Sequence, residues 1–274
     1  MNIPSFWVRE HREIAGRRVH LRGMSELSLS DAQLKMEKRA RLWQNWLTGT
    51  GAPGEGGLSG FLTALRNLDG MGSAYSAAIL EPVVERLSAD DIVTRNRYGC
   101  LVLNTTKLCI VDVDRYCRGF LVRLFTSRAK EEKMLASAVR HLCEGADRMS
   151  ARLYRTAHGW RVILQEPELA PGSEREMEIF AVLHADPMYV KLCRSQACWR
   201  ARLSPKPFHR GLRRYPRSLS SQDMAADWVA EYEKATAGLG VCRLVETFGS
   251  KMSGSVLERH DRATGALVAE LELA

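Results

Sequence analysis

The chain has 274 residues, of which 45% are hydrophobic and 26% charged, and its formal net charge is +8. This length suits one large domain or two small ones, and the composition is that of a globular protein. No apolar run approaches the ~20 residues that a membrane-spanning helix needs, and Arg and Glu interrupt the N-terminal stretch where a secretory signal would be apolar. We therefore expect no membrane partner.

The cysteines indicate the redox environment. There are seven, with no C-x-x-C pair, and the closest two are Cys193 and Cys198. Structural zinc sites need tighter paired spacing. We expect reduced thiols, many of them buried, in a cytoplasmic protein.

The first part of the chain, residues 1–95, is predicted to be mostly helical. Apolar side chains keep helical spacing over residues 27–47, and Ser30 with Gln33 fits a capping box at the start of this helix. Residues 60–87 predict two short helices, broken at Asp69-Gly70.

A glycine-rich stretch, residues 48–57, separates these predicted helices. Gly49, Gly51 and Gly54 satisfy G-x-G-x-x-G. A dinucleotide site needs a strand before this motif, whereas here a helix precedes it. We interpret the stretch as a surface linker.

The remaining residues, 96–274, alternate predicted hairpins with predicted helices. The hairpins are predicted at residues 98–113, 151–166 and 255–273, and the helices at 130–146, 173–185 and 220–238. This irregular order favours an α+β fold: a helical N-terminal part followed by a mainly antiparallel sheet with flanking helices.

The stretch "KLCIVDVDRY", residues 107–116, ends an apolar run with Asp112 and Asp114. Strand residues at i and i+2 point to the same face, so the two carboxylates would lie side by side. Paired carboxylates on a rigid strand suit Mg²⁺ or Mn²⁺, which phosphoryl-transfer enzymes use to neutralise phosphate charge. The alternative is a polar strand end with no metal.

The positive charge is concentrated in what we call the basic segment, residues 187–222. It contains nine Lys and Arg residues and no Asp or Glu. Such a patch attracts polyanions, of which nucleic acid is the commonest. The predicted phosphate-binding residues within it are Arg200, Arg202, Lys206, Arg210, Arg213 and Arg214. The alternative is a solvated, arginine-rich loop.

The predicted hairpin "RLYRTAHGWRVILQE", residues 152–166, lies between the aspartate pair and the basic segment. Its turn contains His158, with Arg155 and Arg161 on either side. These three side chains are further candidates for phosphate contacts near the aspartates.

An apolar D-x-D strand followed by a glycine-containing hairpin resembles the catalytic module of archaeo-eukaryotic-type primases and primase-polymerases. The resemblance covers about 70 residues. It implies an RRM-like core in which Asp112 and Asp114 bind the metal ions. Arg161 stands where that family has a phosphate-contacting histidine, and a guanidinium can also bind phosphate.

The resemblance further implies a third acidic metal ligand on a later strand, for which Asp186, Glu258 and Asp261 are candidates. The stretch "RARLSPKP", residues 200–207, also resembles a group of bacterial proteins with an R-A-R-L-[S/T]-P-K-P sequence, over most of residues 95–265.

Together with the aspartate pair and the basic segment, the resemblance implies a metal-dependent nucleotidyltransferase that acts on DNA or RNA and takes nucleotides, with Asp112, Asp114 and Arg161 in its catalytic site. A second hypothesis is a catalytically inactive nucleic-acid-binding protein on the same scaffold. A sugar-nucleotide glycosyltransferase also places D-x-D after an apolar strand. That class begins with a parallel sheet, which the N-terminal residues do not predict.

Overall fold

We describe a computed structural model of residues 1–50, 57–69, 77–116, 126–145, 149–223 and 225–274, without the side chain of His209. The strands are β1 (Phe6–Ile14), β2 (Arg17–Ser25), β3 (Val83–Arg86), β4 (Asp91–Arg95), β5 (Leu101–Thr105), β6 (Cys109–Val113), β7 (Ser150–Thr156), β8 (Trp160–Gln165), β9 (Trp199–Arg202), β10 (Leu239–Gly240), β11 (Cys242–Phe248) and β12 (Glu272–Leu273). The α-helices are α1 (Leu29–Thr48), α2 (Gly57–Leu68), α3 (Arg128–Glu144), α4 (Glu174–Val182), α5 (Pro187–Gln196), α6 (Ala226–Thr236) and α7 (Ser255–Thr264).

Helices are interleaved with mainly antiparallel sheets, which confirms the predicted α+β class. The chain divides into two compact units, which are described separately. One contains residues 2–83 and 216–226, and the other contains residue 1 with residues 84–215 and 227–274. No helix within the described ranges is long and apolar enough to cross a membrane.

The unit of residues 2–83 and 216–226 is built on the antiparallel hairpin β1–β2, against which α1 packs. The two elements approach so closely at Gly23 that a Cβ there would lie 1.8 Å from the carbonyl oxygen of Ala32. The helix is capped by Ser28, whose side chain accepts a hydrogen bond from the backbone N–H of Asp31, and not by Ser30 as predicted.

The N-terminal region therefore contains strands as well as the predicted helices. The hairpin was missed because β1 and β2 carry charged side chains on both faces, which obscures the alternation of a half-buried strand. The first helix predicted in residues 60–87 corresponds to α2, whereas Val83–Arg86 forms β3. The glycine-rich linker falls largely on residues 51–56, outside the described residues.

The larger unit contains two four-stranded sheets, in the orders β11-β7-β8-β6 and β3-β4-β5-β9. The predicted hairpin of residues 98–113 is wrong as a pair: its two runs form β5 and β6, but they belong to different sheets. β5 pairs with β4 and β9, and β6 pairs with β8. One apolar core joins the two sheets through side chains such as Leu103 and Ile110.

The elements that carry the site follow the order β6–α3–β7–β8–α5–β9, with α4 preceding α5. With both helices counted, this is a strand-helix-strand-strand-helix-helix-strand succession, which has one helix more than the ferredoxin-like βαββαβ motif. β8 lies between β6 and β7, and β9 lies beside β6 while being hydrogen-bonded to β5. The hairpin β7–β8, which turns at residues 157–159, was predicted correctly.

The hairpin predicted for residues 255–273 is wrong, because residues 255–264 form α7. The buried side chains of this helix are Leu257, His260, Asp261 and Thr264. Their spacing of three, four and seven residues is that of one helical face. Apolar residues alone do not reveal this face, because two of its four members are ionisable.

Candidate phosphate and metal site

The end of β6 and the turn of the β7–β8 hairpin enclose a cavity of about 240 Å³. Both aspartates of the D-x-D pair line it, as the strand alternation predicts. The other ionisable side chains that line it are His158, Arg161, Arg202 and Lys206. Six of the residues singled out in the sequence thus meet at one cavity.

Asp112 lies directly opposite Arg161 in the antiparallel β6–β8 pair. The guanidinium Nε donates a hydrogen bond to Asp112 Oδ1 at 3.0 Å. The Arg161 side chain is only 2% exposed, whereas that of Asp112 is 36% exposed. Asp112 therefore presents one part of its carboxylate to the cavity and pairs the other part with a buried cation.

Arg161 is held by two further acceptors. Its Nη1 donates to the carbonyl oxygen of Arg202 at 3.0 Å and lies 3.2 Å from Nε2 of His260. Because a guanidinium has no acceptor, Nε2 of His260 must be the accepting nitrogen. The neutral ring then carries its proton on Nδ1, which lies 2.9 Å from Oδ1 of Asp261.

Asp261 completes this buried chain of polar groups. Its carboxylate accepts a hydrogen bond from the hydroxyl of Tyr154 at 2.8 Å and pairs with the guanidinium of Arg152. Burial lowers the pKa of His260, and the charge of Arg161 lowers it further, while the bond to Asp261 opposes the shift. The neutral tautomer of His260 therefore fits both of its neighbours.

Asp114 follows β6 and is exposed at the cavity. Partial burial raises the pKa of its carboxyl group, and the negative charges of Asp186 and Asp112 raise it further. Asp186 lies close because its backbone N–H donates to the carbonyl of Asp112 at 2.9 Å. Crowded carboxylates of this kind favour a bound cation, which relieves their repulsion.

Arg202 and Lys206 supply positive charge to the same cavity. Burial lowers the pKa of Lys206, and the neighbouring charge of Arg202 adds to this shift. Lys206 lies between Pro205 and Pro207, whose rings restrict the backbone on both sides of it. The cavity thus contains fixed cations beside two carboxylates.

Gly159 allows the hairpin turn to close over the aspartates. A Cβ at this position would lie 2.2 Å from the carbonyl oxygen of Val113 and 2.9 Å from Cα of Asp114. The turn is also fixed by Thr156, whose side-chain oxygen accepts a hydrogen bond from the Gly159 N–H at 3.0 Å. The glycine of the hairpin motif therefore sets the approach of the turn to the D-x-D strand.

A divalent cation would find carboxylate oxygens of Asp112 and Asp114 at the cavity, which are suitable ligands for Mg²⁺ or Mn²⁺. Within the described ranges, however, no group of three or more His, Cys, Asp or Glu residues has the arrangement of a metal site. Asp261 is engaged by Arg152 and Tyr154, and it does not line the cavity. Asp186 is the candidate third acid that lies near Asp114.

The other predicted phosphate-binding residues lie elsewhere. Arg155 forms a two-pronged ion pair with Glu132, and Arg210 lies 3.5 Å from Glu272. Arg200 is buried, and its guanidinium donates to the side chain of Gln196. These three arginines do not line the 240 Å³ cavity.

Arg213 and Arg214 line a second cavity, of about 620 Å³. The predicted phosphate-binding residues of the basic segment are therefore distributed over different surroundings. Arg202 and Lys206 line the first cavity, Arg213 and Arg214 line the second, Arg200 is buried, and Arg210 is ion-paired.

Sequence reasoning missed the roles of His260 and Asp261 behind the site. Their signal is present in the sequence, because they occupy the helical positions between Leu257 and Thr264. It was overlooked because the surrounding residues were assigned to a strand, on which adjacent side chains point in opposite directions.

The free thiols agree with the expectation from the cysteine spacing. All six cysteines in the described ranges are free, and five of them are buried.

Comparison of the whole chain with protein-family models, curated proteins and solved structures gives no match.

Proposed function

We propose that the protein is a nucleic-acid-associated enzyme of the primase type, which binds nucleotide phosphates in the cavity at the end of β6. The observation that carries this proposal is the meeting of Asp112 and Asp114 with Arg161, Arg202 and Lys206 at one cavity. Carboxylates for a metal ion and cations for phosphate oxygens are the two components that phosphoryl transfer requires. The order β6–α3–β7–β8, followed by the helices α4 and α5 and then by β9, supports the resemblance to the primase module.

Asp112 and Asp114 would hold Mg²⁺ or Mn²⁺, and the ion would neutralise phosphate charge. Arg202 and Lys206 would bind phosphate oxygens directly. Arg161 would orient Asp112, because its guanidinium is buried and bonded to that carboxylate. Its role would thus differ from direct phosphate contact, the role that the resemblance implies for this position. The free thiols support a cytoplasmic location.

A second candidate function is nucleic-acid binding without catalysis. It is favoured by the ion pair of Arg161 with Asp112, which neutralises one of the two carboxylates at the cavity. In this case phosphate would bind to the cations alone, and no metal ion would be needed.

Manganese binding separates the two functions. Electron paramagnetic resonance measures the concentration of free Mn²⁺ in the presence of each protein. The proteins are the wild type, Asp112→Asn, Asp114→Asn and the double variant. The exposed acids Glu168 and Glu270 provide a matched control, as the double variant Glu168→Gln with Glu270→Gln. If the primase-type function is correct, the wild type and the control should bind Mn²⁺ more tightly in the presence of a nucleoside triphosphate than in its absence. The double Asn variant should show no such difference.

The same proteins are then tested for incorporation of labelled nucleotides on a single-stranded template. Incorporation by the wild type and its loss in both Asn variants would support the enzyme. Nucleic-acid binding that is independent of metal and retained in the Asn variants would support the second function. Absence of both metal-dependent and metal-independent binding would overturn the two proposals together.

A further inference from the structure

The second cavity combines arginines with aromatic rings. It is lined by Arg97, Tyr98, Pro207, Phe208, Leu212, Arg213, Arg214 and Tyr215. None of these eight described residues is acidic. Its volume of about 620 Å³ can hold more than one nucleobase-sized group, and the lining offers both stacking surfaces and cations for phosphates.

Two of the rings are unusually exposed. Tyr98 is 48% exposed and Phe208 is 58% exposed, although folding normally buries most of an aromatic side chain. The guanidinium of Arg97 lies 4.7 Å from the centre of the Tyr98 ring, and Nζ of Lys206 lies 5.5 Å from that of Phe208. Each ring is thus accompanied by a cation, as in sites where bases stack beside a bound phosphate backbone.

Arg213 and Arg214 differ from Arg155 and Arg210, each of which pairs with a glutamate. The structure shows no acidic partner for the side chains of Arg213 and Arg214 within the part of the chain it describes. Positive charge that the protein does not neutralise itself is available to an external anion.

The walls of the cavity are held by one buried tryptophan. The indole of Trp228 donates from Nε1 to the carbonyl of Arg213 at 3.0 Å and packs edge-on against Tyr215. A Cβ at Gly99 would lie 2.2 Å from the same indole, so the turn that carries Tyr98 also rests on it. The two sides of the cavity therefore have a common support, which limits the ordering cost of binding.

The two cavities are adjacent along the chain. Lys206 lines the site of Asp112 and Asp114, and the next residue, Pro207, lines the second cavity. A chain of nucleotides that passes this segment can contact both cavities, whereas a single nucleotide occupies one of them. Exposed aromatic rings can stack on the faces of unpaired, unstacked bases, and these faces are not accessible in a duplex.

We propose that this second cavity binds single-stranded nucleic acid, with bases stacked on Tyr98 and Phe208 and with phosphates bound by Arg213 and Arg214. The inference rests on the proposed association with nucleic acid, but it does not require metal binding or catalysis. It explains the position of the arginine pair, which lies away from the aspartates.

Fluorescence anisotropy with a single-stranded oligonucleotide of about 12 nucleotides tests the inference. The variants Tyr98→Leu and Phe208→Leu remove a ring and keep an apolar side chain, and Tyr98→Phe and Phe208→Tyr keep the ring. The exposed Leu267, changed to Ala, serves as a control outside the cavity. Each Leu variant should weaken binding by about tenfold, and the ring-preserving variants and the control should bind as the wild type does.

The arginines are tested by the salt dependence of binding. The double variant Arg213→Gln with Arg214→Gln should reduce the slope of log K against log salt by about 1.4, since each lost contact with a single strand contributes about 0.7. Lys234 and Arg262 are exposed and do not line the cavity, so their double Gln variant should retain the slope.

The inference would be overturned if the Leu variants bound the oligonucleotide as tightly as the wild type, or if the salt slope were unchanged in the double arginine variant. It would also be overturned if the protein bound duplex more tightly than single strand, or if a mononucleotide saturated the site and excluded the oligonucleotide. Mn²⁺ binding, measured on the same variants, reports on Asp112 and Asp114 independently. Loss of that signal alone would refute the enzyme and leave the single-strand site intact.

Discussion

Arg161 and Asp112 face each other across two antiparallel strands and form the ion pair that connects the cavity to the protein interior. The guanidinium also bonds the carbonyl of Arg202 on β9 and the ring of His260 on α7. One side chain therefore ties three elements together behind the site. Because the side chain of Arg161 is only 2% exposed, we infer that it supports Asp112 and does not contact a ligand directly.

Replacement of Arg161 should destabilise the protein. Arg161→Met leaves the Arg202 carbonyl and His260 Nε2 without their donor, and we expect the free energy of unfolding to fall by about 2–3 kcal/mol. Arg161→Lys should also destabilise, because one ammonium group cannot reproduce the spread of the guanidinium donors. Urea denaturation measures both effects. The exposed Arg262, changed to Met, is the control, and a loss of equal size there would contradict this explanation.

His260 should make stability depend on pH in the mildly acidic range. Burial lowers the pKa of its imidazole, so the folded protein keeps it neutral at a pH where the unfolded chain, with a pKa near 6.5, already binds a proton. The free energy of unfolding should therefore decrease as the pH falls below about 6.5, down to the lowered pKa of the folded state.

The variant His260→Asn keeps a donor near Asp261 and removes the titration. The loss of stability between pH 7 and pH 5 should be smaller in this variant than in the wild type. The exposed His141, changed to Asn, controls for a general effect of removing a histidine. Identical pH profiles for the wild type and His260→Asn, in thermal or urea denaturation, would show that the buried ring does not titrate as inferred.

Gly159 provides a test of how the hairpin turn shapes the site. Gly159→Ala places a methyl group against the backbone of Val113 and Asp114, and overpacking of this kind costs about 1–3 kcal/mol. Mn²⁺ binding should weaken together with stability, because the turn and the aspartates must move apart. Gly145→Ala meets no atom closer than 3.4 Å and should be nearly neutral in both measurements.

The sequence predicted the local parts of this site better than their assembly. Alternation along β6 placed Asp112 and Asp114 together, and the turn at His158-Gly159 was correct, because both depend on residues close in the chain. The pairing of Asp112 with Arg161 joins residues 49 positions apart, and only the strand order reveals it.

The basic segment shows why a run of Lys and Arg without acids does not by itself predict unpaired cations. A run without acids predicts unpaired cations only if no acid approaches from elsewhere in the fold. Glu272 approaches Arg210 from 62 positions away, and Arg200 is buried in β9. Arg202 and Lys206 reach the aspartate cavity, and Arg213 and Arg214 reach the second one.

Asp114 should lower the stability of the metal-free protein at neutral pH. Its pKa is raised by burial and by the charges of Asp186 and Asp112, so the folded protein binds a proton more readily than the unfolded chain. Stability then decreases as the pH rises from the unfolded value near 3.9 through the raised value, and it stays lower above it. Asp114→Asn removes this penalty, and it should raise the free energy of unfolding at pH 7 by less than about 1 kcal/mol, since the side chain is partly solvated.

Thermal denaturation at pH 7 and near pH 3.5 in the presence of a chelator tests this effect, which should vanish at the lower pH. Asp186→Asn is the companion variant, because Asn also caps a helix and can replace the Asp186 oxygen that accepts from the Tyr189 N–H. It should also raise the free energy of unfolding at pH 7, because it removes one of the negative charges that repel Asp114.

Added Mn²⁺ should raise the melting temperature of the wild type and leave that of Asp114→Asn unchanged, since only the wild type gains by binding the ion. A destabilised Asp114→Asn at pH 7 without metal would show that the carboxylate is held by favourable contacts, and the repulsion that motivates the cation site would then be absent.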